Sequence, residues 1–285
     1  MIDLHLHTTA SDGRCTPEEL VTRAEAAGLT TIAVTDHDTM AALPEASAAA
    51  ARAGLRFVPG IEITSVCKGR DAHVLGYFLK PDAPGLAQLI AEQRRRRVDR
   101  AREIGAGLAR MGAPIDIEGL VASAGSRTGK AIARPQIAQA LIAAGHVSSV
   151  AEAFDRFLGE SCPAYVPHTG ATPAEVVALV VSGGGTASLA HPGHLNKDEV
   201  IPDLVDAGLA ALEAYHCSHD ADTTAHYLAL ARRLGLSVTG GSDYHGEGVR
   251  RAEFFGVVHL PPHEFSAFLK RAGRSSSEEL SPTQA

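Results

Sequence analysis

The sequence contains no tryptophan, and aromatic residues make up only 5% of its 285 positions. It also lacks any apolar run approaching the roughly 18 residues that a membrane-spanning helix needs. Its start shows no basic segment followed by an apolar one, so no secretory signal is predicted. From these absences we expect a protein that is neither exported nor inserted in a membrane, and we predict a cytoplasmic location.

Cysteine is scarce, and positive charge is outnumbered. The four cysteines form no C-x-x-C pair, so neither a zinc-ribbon spacing nor a disulfide framework is visible. The 33 acidic residues exceed the 26 lysines and arginines and give a net charge of −7. Binding to long nucleic acid is therefore disfavoured, because its affinity comes largely from cationic contacts to phosphates. A local basic pocket is still compatible with this balance.

The sequence does contain an alternation of strand and helix patterns. Helix starts are predicted at 16–19 and 172–175, where Thr, Pro and Glu stand at the N-cap, N1 and N3 positions. Short β-rich segments are predicted at 2–7, 30–36, 56–64, 72–79, 186–190, 209–215, 237–242 and 254–260. This alternation predicts a mostly parallel α/β sheet covered by helices, either a barrel or an open doubly wound sheet.

Residues 84–164 interrupt the alternation with helical patterns alone, including a long one from Gly85 to Met111. We therefore predict an inserted helical subdomain at 84–164 and a barrel formed by residues 1–83 and 165–273. Residues 274–285 are predicted to be a flexible tail. Four consecutive arginines at 94–97 point around the whole axis of the long helix, so we expect them to be mainly solvated.

The first strand carries two histidines. Alternate side chains of a strand share one face, so His5 and His7 project together. Imidazole is the commonest metal ligand among side chains, and two on a rigid strand supply half of a tetrahedral shell. The H-x-H pattern alone also occurs by chance, as an ordinary feature of a strand.

More potential ligands stand near the ends of the later predicted strands. In chain order these are Asp12, Asp36-His37-Asp38, Glu62, His73, His191, the segment 213–216, Asp243 and His245. The C-terminal ends of parallel strands converge on one face, where catalytic residues gather. Imidazoles and carboxylates without thiolates favour Zn, Mn or Fe in clusters of two or three ions.

The motifs HxH, SDG, TDHDT, GIE, AHPG and GSDYHG follow one another in an order that resembles the PHP family, named for polymerase and histidinol phosphatase. The resemblance covers nearly the whole chain. It implies a distorted (β/α)7, TIM-like barrel with three divalent ions, of Mn²⁺, Zn²⁺ or Fe²⁺, at the strand C-termini. The implied ligands are His5, His7, Glu62 and Asp243 for the first ion, Glu62, His73 and His191 for the second, and Asp12, His37 and His245 for the third.

The AHPG motif, combined with an Arg-Pro pair in the insertion, is similar to family members that act on 3′,5′-nucleoside bisphosphates or trim the 5′ end of short RNA. The resemblance thus implies a metal-dependent phosphoesterase for a small nucleotide or short oligoribonucleotide. Two alternatives stay open. One is a histidinol-phosphate-type or other small-molecule phosphomonoesterase, and the other is a non-catalytic metal-binding module.

The insertion is predicted to form a cap that binds substrate phosphate. Arg134 offers a bidentate fork for phosphate at a predicted helix start, and Arg127 and Lys130 stand nearby. Gln136 occupies a position where many relatives carry His, which leaves recognition of a second phosphate open. His219 is a further candidate substrate contact.

Two residues are candidates for a part in catalysis. Hydrolysis by a metal-activated water needs no protein nucleophile, and His194 is a candidate to protonate the departing ester oxygen. Asp36 is predicted to orient the neighbouring His37. The other histidines, at 146, 168, 226, 259 and 263, are assigned to ordinary surface or core roles.

Overall fold

The computed structural model describes residues 1–125, 134–248 and 252–275. Its seven strands form one sheet in chain order: β1 (Ile2–Leu6), β2 (Thr31–Val34), β3 (Arg56–Cys67), β4 (Arg70–Tyr77), β5 (Thr186–Leu189), β6 (Ala211–His216) and β7 (Ser237–Gly241). The first and last strands approach each other, since the N–H of His7 donates to the carbonyl of Tyr244 at 3.0 Å. The sheet is therefore a nearly closed barrel, and the predicted fold class is confirmed.

Helices surround this sheet. They are α1 (Pro17–Ala26), α2 (Leu43–Arg52), α3 (Leu86–Arg110), α4 (Ile117–Gly125), α5 (Arg134–Ala143), α6 (Val150–Ala153), α7 (Pro173–Ser182), α8 (Pro192–Leu195), α9 (Ile201–Asp206), α10 (Ala221–Leu234) and α11 (Pro262–Arg271). Both predicted capping boxes are confirmed, because Thr16 and Thr172 each exchange hydrogen bonds with the Glu at N3. None of the helices in the described ranges is both long and apolar enough to cross a bilayer. The cytoplasmic location stays a prediction.

The direction of β4 distinguishes this barrel from a regular parallel one. Strands β1 to β3 and β5 to β7 run parallel, whereas β4 is antiparallel to both of its neighbours. Lys68 and Gly69 join β3 to β4 with φ values of 51° and 80°, as a tight primed hairpin turn requires. His73 lies in the middle of β4, paired with Thr64, and not at a strand end as the sequence pattern indicated.

The strand predicted at 254–260 is wrong. Residues Ala252–Phe254 form a short 3₁₀ helix, and turns follow it. Gly256 has a φ of 72°, which is incompatible with an extended strand. The ring of Phe255 instead stacks on Tyr244 at 4.2 Å. The apolar residues that suggested a strand therefore cover the end of the barrel from a turn.

The helices between β4 and α7 pack around their own apolar cluster. Its buried members include Ile104 and Leu108 of α3, Ile137 and Leu141 of α5, and Phe157. A larger cluster fills the barrel and its covering helices. This separation fits the predicted insertion, whose boundaries, like the flexible tail, stay a prediction.

Arg97 is the exception to the expectation that the four consecutive arginines are mainly solvated. Arg95 and Arg96 do pair with Glu92 on the outer face of α3. Arg97 instead donates to the carboxylate of Asp38 and to the hydroxyl of Thr64 on the barrel. Helical periodicity places one of four consecutive side chains against whatever the helix packs on, and here that surface carries a carboxylate.

Candidate metal centre

Strand β1 brings the first two histidines of the site together. His5 and His7 are fully buried, with ring centroids 5.1 Å apart. The ring of His7 stacks at 4.1 Å on His245, which follows β7, and lies 4.6 Å from His37, which follows β2. Residues far apart in the chain therefore meet because the barrel is nearly closed.

Glu62, in the middle of β3, is fully buried at the centre of this cluster. Its carboxylate lies within 3.3 Å of five imidazole nitrogens. Oε1 is 2.7 Å from Nδ1 of His73 and 3.0 Å from Nε2 of His191, and Oε2 is 3.2 Å from Nε2 of His5, 3.3 Å from Nε2 of His7 and 3.1 Å from Nδ1 of His37. One carboxylate thus faces ligand candidates from five segments of the chain.

Among the described residues, potential donor atoms gather in five overlapping groups, and within each group they lie within 4.8 Å of one another. Three groups contain only residues implied as ligands: His5, His7, Glu62 and Asp243; His37, Glu62 and His73; and His7, Asp12, His37 and His245. The other two groups add Glu213, His216 and Cys217 to His5 and Asp243. His191 adjoins the second group through Glu62. All nine residues implied as ligands therefore lie in one cluster, and their assignment to particular ions stays a prediction.

The buried nitrogens test whether these residues fit a cation. Nδ1 and Nε2 of His7 and Nδ1 of His37 make no well-directed hydrogen bond with the described residues, although Oε2 of Glu62 lies 3.3 Å from Nε2 of His7 and 3.1 Å from Nδ1 of His37. A buried polar atom without a partner destabilises a protein by about 1–3 kcal/mol. A divalent cation coordinated by imidazole and carboxylate satisfies such atoms, so the side chains present fit the implied metal ions.

The carboxylates govern the proton affinities in the cluster. Burial alone lowers the pKa of His7, but contacts with Asp243 and Glu62 outweigh it and raise that pKa to about 10. Burial raises the pKa of Glu62, yet the charges of His37, His73 and His5 hold it well below its usual range. For His37 burial dominates and lowers the pKa to about 4. Cation binding must therefore displace a proton from His7.

Asp12 lies on the open side of the cluster. Its Oδ1 is 3.2 Å from Nε2 of His245, and its Oδ2 is 3.9 Å from Nε2 of His37. Burial raises the pKa of Asp12, but the charges of His37 and His245 hold it far below its usual range. Asp12 is accordingly an ionised acceptor between two imidazoles.

Asp36 supports the loop that carries Asp12. Its carboxylate accepts the N–H and the hydroxyl of Thr8, both at 2.7 Å, and the hydroxyl of Ser11 at 2.5 Å. These contacts order residues 8–12 and do not involve the ring of His37. A part for Asp36 in catalysis stays a prediction, and the geometry favours Asp12 as the residue it orients.

His194 and His219 lie beside the cluster. The exposed ring of His194 is 4.8 Å from that of His191, at the mouth of the site. His219 accepts the N–H of Gly193 at Nε2, which leaves Nδ1 to donate to the carbonyl of Ala214. Burial lowers the pKa of His219. Both ring nitrogens of His219 are thus engaged with backbone, and contacts of either histidine with substrate stay predictions.

Two of the predicted phosphate contacts, Arg127 and Lys130, lie outside the described residues. Gln136 is exposed in the first turn of α5. Arg134 begins that helix, with its guanidinium carbon 5.5 Å from the ring centroid of Phe154 and 5.6 Å from that of Tyr165. Such rings hold a guanidinium without neutralising its charge.

Arg100 extends this positive region and His168 lies close by, and the sequence pattern had given neither a role in binding. Burial and then the charge of Arg134 lower the pKa of Arg100, so two guanidinium groups lie near each other. His168 contacts Asp71 on β4. Asp71 and His73 share one face of that strand, about 7 Å apart along it. Arg100 and Arg134 are here called the basic cluster, and it adjoins the metal centre because Arg100 lies near Asp71.

Two further residues of the site, Glu213 and His216, belong to the segment 213–216 that the sequence pattern placed among the potential ligands, although the resemblance assigned them to no ion. Glu213 lies 2.8 Å from Nδ1 of His5, and Nε2 of His216 lies 3.4 Å from Oδ2 of Asp243. A bulge between Glu213 and Tyr215 turns both Glu213 and His216 toward the site.

Comparisons with known proteins agree with this geometry. The PHP domain model matches residues 3–133. The 3′,5′-nucleoside bisphosphate phosphatase of Chromobacterium violaceum is 35% identical over 267 residues, which cover 92% of this chain and 93% of that protein. The 5′-3′ exoribonuclease Rnm of Escherichia coli is 34% identical over 85% of this chain and 84% of its own length.

Structural similarity extends over the same length. A structure from Bifidobacterium adolescentis, proposed to be a metal-dependent phosphoesterase, superposes with a TM-score of 0.81 at 32% identity and covers 95% of this chain and 96% of that one. The nearly closed barrel and its cluster of imidazoles and carboxylates are those of a metal-dependent phosphoric ester hydrolase. The chain belongs to the PHP domain family.

Proposed function

We propose that this protein removes a phosphate from a small nucleotide that carries two phosphates, with a 3′,5′-nucleoside bisphosphate as the leading substrate. The observation that supports this most is the position of Glu62, whose carboxylate faces five imidazoles. The similarity to a bisphosphate phosphatase over 92% of the chain supports the choice of substrate. A 5′-phosphorylated short oligoribonucleotide is the second candidate, since the similarity to an exoribonuclease is nearly as high.

Three divalent ions, of Mn²⁺, Zn²⁺ or Fe²⁺, are proposed at this centre. They would be held by His5, His7, Glu62 and Asp243; by Glu62, His73 and His191; and by Asp12, His37 and His245. Divalent cations bound there would lower the pKa of a coordinated water and neutralise charge on the phosphate that is cleaved.

The side chains of the protein supply the rest of the proposed reaction. The basic cluster binds the phosphate that is not cleaved, because Arg100 and Arg134 bring two positive charges together. The predicted ligands lie in strands or in the segments that follow them, so little reorganisation accompanies the reaction. His194, at the mouth of the site, is placed to give a proton to the departing oxygen.

The two-phosphate proposal predicts a specific pattern of kinetics. Phosphate release from adenosine 3′,5′-bisphosphate, from histidinol phosphate and from p-nitrophenyl phosphate, and nucleoside monophosphate release from a 5′-phosphorylated trinucleotide, are measured with Mn²⁺, Zn²⁺ or Fe²⁺ added. We expect Arg134→Ala and Arg100→Ala each to raise KM for the bisphosphate about 10- to 100-fold, since one charged hydrogen-bonding contact contributes roughly 1.5–3 kcal/mol. Turnover of p-nitrophenyl phosphate, which has no second phosphate, should change little.

Arg102→Ala is the matched control, because Arg102 also belongs to α3 but pairs with exposed Glu118. It should leave both activities intact. Equal losses on both substrates in Arg134→Ala would contradict a second phosphate site. Preferred hydrolysis of histidinol phosphate would support the phosphomonoesterase alternative, and metal binding without turnover of any ester would support the non-catalytic one.

A further inference from the structure

Glu213 lies in β6 with its side chain fully buried, and its two oxygens contact different parts of the metal centre. Oε1 lies 2.8 Å from Nδ1 of His5. Oε2 accepts the backbone N–H of His191 at 2.7 Å. An ionised carboxylate is only an acceptor, so Nδ1 of His5 carries the proton in this contact. The other nitrogen, Nε2, faces the carboxylate of Glu62 at 3.2 Å and is the ring atom that would bind a cation.

The contact with His191 fixes an uncommon backbone conformation. His191 has a φ of 26° and a ψ of 59°, a left-handed region that residues with a Cβ rarely adopt. Its N–H points at Glu213, and its Nε2 lies 3.0 Å from Glu62. One carboxylate therefore orients two predicted ligands, the first through a ring proton and the second through the backbone.

We infer that Glu213 is a positioning residue of the metal centre, which sets the ring tautomer of His5 and the backbone of His191 so that both Nε2 atoms face the cation positions around Glu62. The inference rests on the proposed function, because it requires that the centre binds divalent cations. Carboxylates that hold the second nitrogen of a ligand histidine fix its ring in this way.

Glu213→Gln disturbs this arrangement without changing its size. The N–H of His191 can only donate, so the amide oxygen of the new side chain must face it. The amide NH₂ then faces Nδ1 of His5, which must accept and move its proton to Nε2, the atom that would bind a cation. We expect metal affinity to fall about 10- to 100-fold, the range typical for loss of a group that orients a metal ligand.

The experiment has two readouts. Metal-free wild-type and Glu213→Gln proteins are titrated with Zn²⁺ in competition with a chromophoric chelator. Long-range ¹H–¹⁵N spectra of the Zn²⁺-loaded proteins then report which nitrogen of His5 is protonated. We expect wild-type His5 to carry its proton on Nδ1, and the variant to bind Zn²⁺ more weakly with this signal lost or shifted.

Ser188→Ala is the matched control. Ser188 and Thr239 contact each other at 2.7 Å, fully buried, in the two strands that flank β6. Removing this hydroxyl destabilises the same part of the barrel. The hydroxyl itself does not contact a predicted ligand. The control should therefore bind Zn²⁺ as the wild type does.

The outcomes separate the two proposals. A wild-type protein that binds no Zn²⁺ would overturn the proposed function together with this inference. If the wild type binds and Glu213→Gln binds equally well, or if wild-type His5 is protonated on Nε2, only the inference about Glu213 is overturned. The protonated nitrogen of His5 is identified from the wild-type spectrum alone, so this test does not depend on whether the variant folds.

Discussion

The barrel edge and the helices that follow β4 hold their charged side chains in opposite ways. At the barrel edge, Glu62 and Asp243 come from strands or from the residues directly after them, and their charges are matched by buried imidazoles. On α3, Arg95 pairs with Glu92 at the surface, where an ion pair contributes little to stability. The difference teaches that the barrel supplies fixed ligand geometry, whereas the helices supply positive charge that a bound anion can use.

One contact links the two regions. Arg97 of α3 donates to Asp38, which follows the predicted ligand His37, and to Thr64 on β3. Four residues earlier on the same helix face, buried Gln93 donates to the carbonyl of Thr64. The helices that carry the basic cluster are therefore attached to the barrel next to the metal centre.

The largest expected effect is loss of the central carboxylate. Glu62→Gln leaves five imidazoles without the charge they share, so we expect bound metal to be lost and kcat/KM to fall at least 10,000-fold, roughly 5 kcal/mol of barrier. Metal content and phosphate release measure this. Glu18→Gln, an exposed glutamate that pairs with Arg52, is the control. Retained metal and activity in Glu62→Gln would remove the basis for the proposed function.

The second largest expected effect is on how the free energy of unfolding depends on pH, and it distinguishes a buried carboxylate from an exposed one. Burial raises the pKa of Asp3 to about 7, although hydrogen bonds from Ser242 and from the backbone of His5 oppose this. Between pH 3.8 and about 7 the folded protein thus binds more protons than the unfolded chain. The free energy of unfolding must therefore fall as the pH rises through this window.

Asp3→Asn removes this dependence, because the amide has a similar shape and no charge. Relative to wild type, we expect the variant to gain stability as the pH rises from 4 to 8, by roughly 4 kcal/mol at 1.36 kcal/mol per pKa unit. Urea denaturation of the metal-free proteins measures it. Glu92→Gln, at an exposed site on α3, should show the same dependence of unfolding free energy on pH as the wild type. If the plots of unfolding free energy against pH were parallel for Asp3→Asn and wild type, the pKa of Asp3 would not be raised in the folded protein.

The smallest effect concerns the link between the regions. Arg97→Ala removes the contact with Asp38, and we expect kcat/KM for the bisphosphate to fall about 10-fold, or 1.4 kcal/mol, mainly through KM. Arg95→Ala, two residues earlier on the outer face, should have no effect. Steady-state kinetics with bisphosphate and with p-nitrophenyl phosphate measure the difference. A loss confined to p-nitrophenyl phosphate would place Arg97 at the metal centre instead of at the attachment of the helices.

Some of the fold was readable from local signals. The two capping boxes and the long helix were predicted within a residue or two, because their signals lie within a few positions of the chain. The strand at 254–260 was wrong, since apolar residues in a turn look like those of a strand when their contact with Tyr244 is not known. The position of His73 was misread because the sequence did not reveal that β4 runs against its neighbours.

The alternation of strand and helix patterns left a barrel and an open sheet as alternatives. The resemblance of the HxH, TDHDT, AHPG and GSDYHG segments to the PHP family implied the barrel class and the set of candidate ligands, because the order of these short motifs can be read directly from the sequence. The sequence could not show that Glu62 faces five imidazoles, that Glu213 holds His5 and His191, or that Arg97 and Arg100 belong beside the site. Those relations depend on barrel closure, a strand bulge and the docking of α3, which join residues up to about 240 positions apart, and no local pattern encodes distances of that kind.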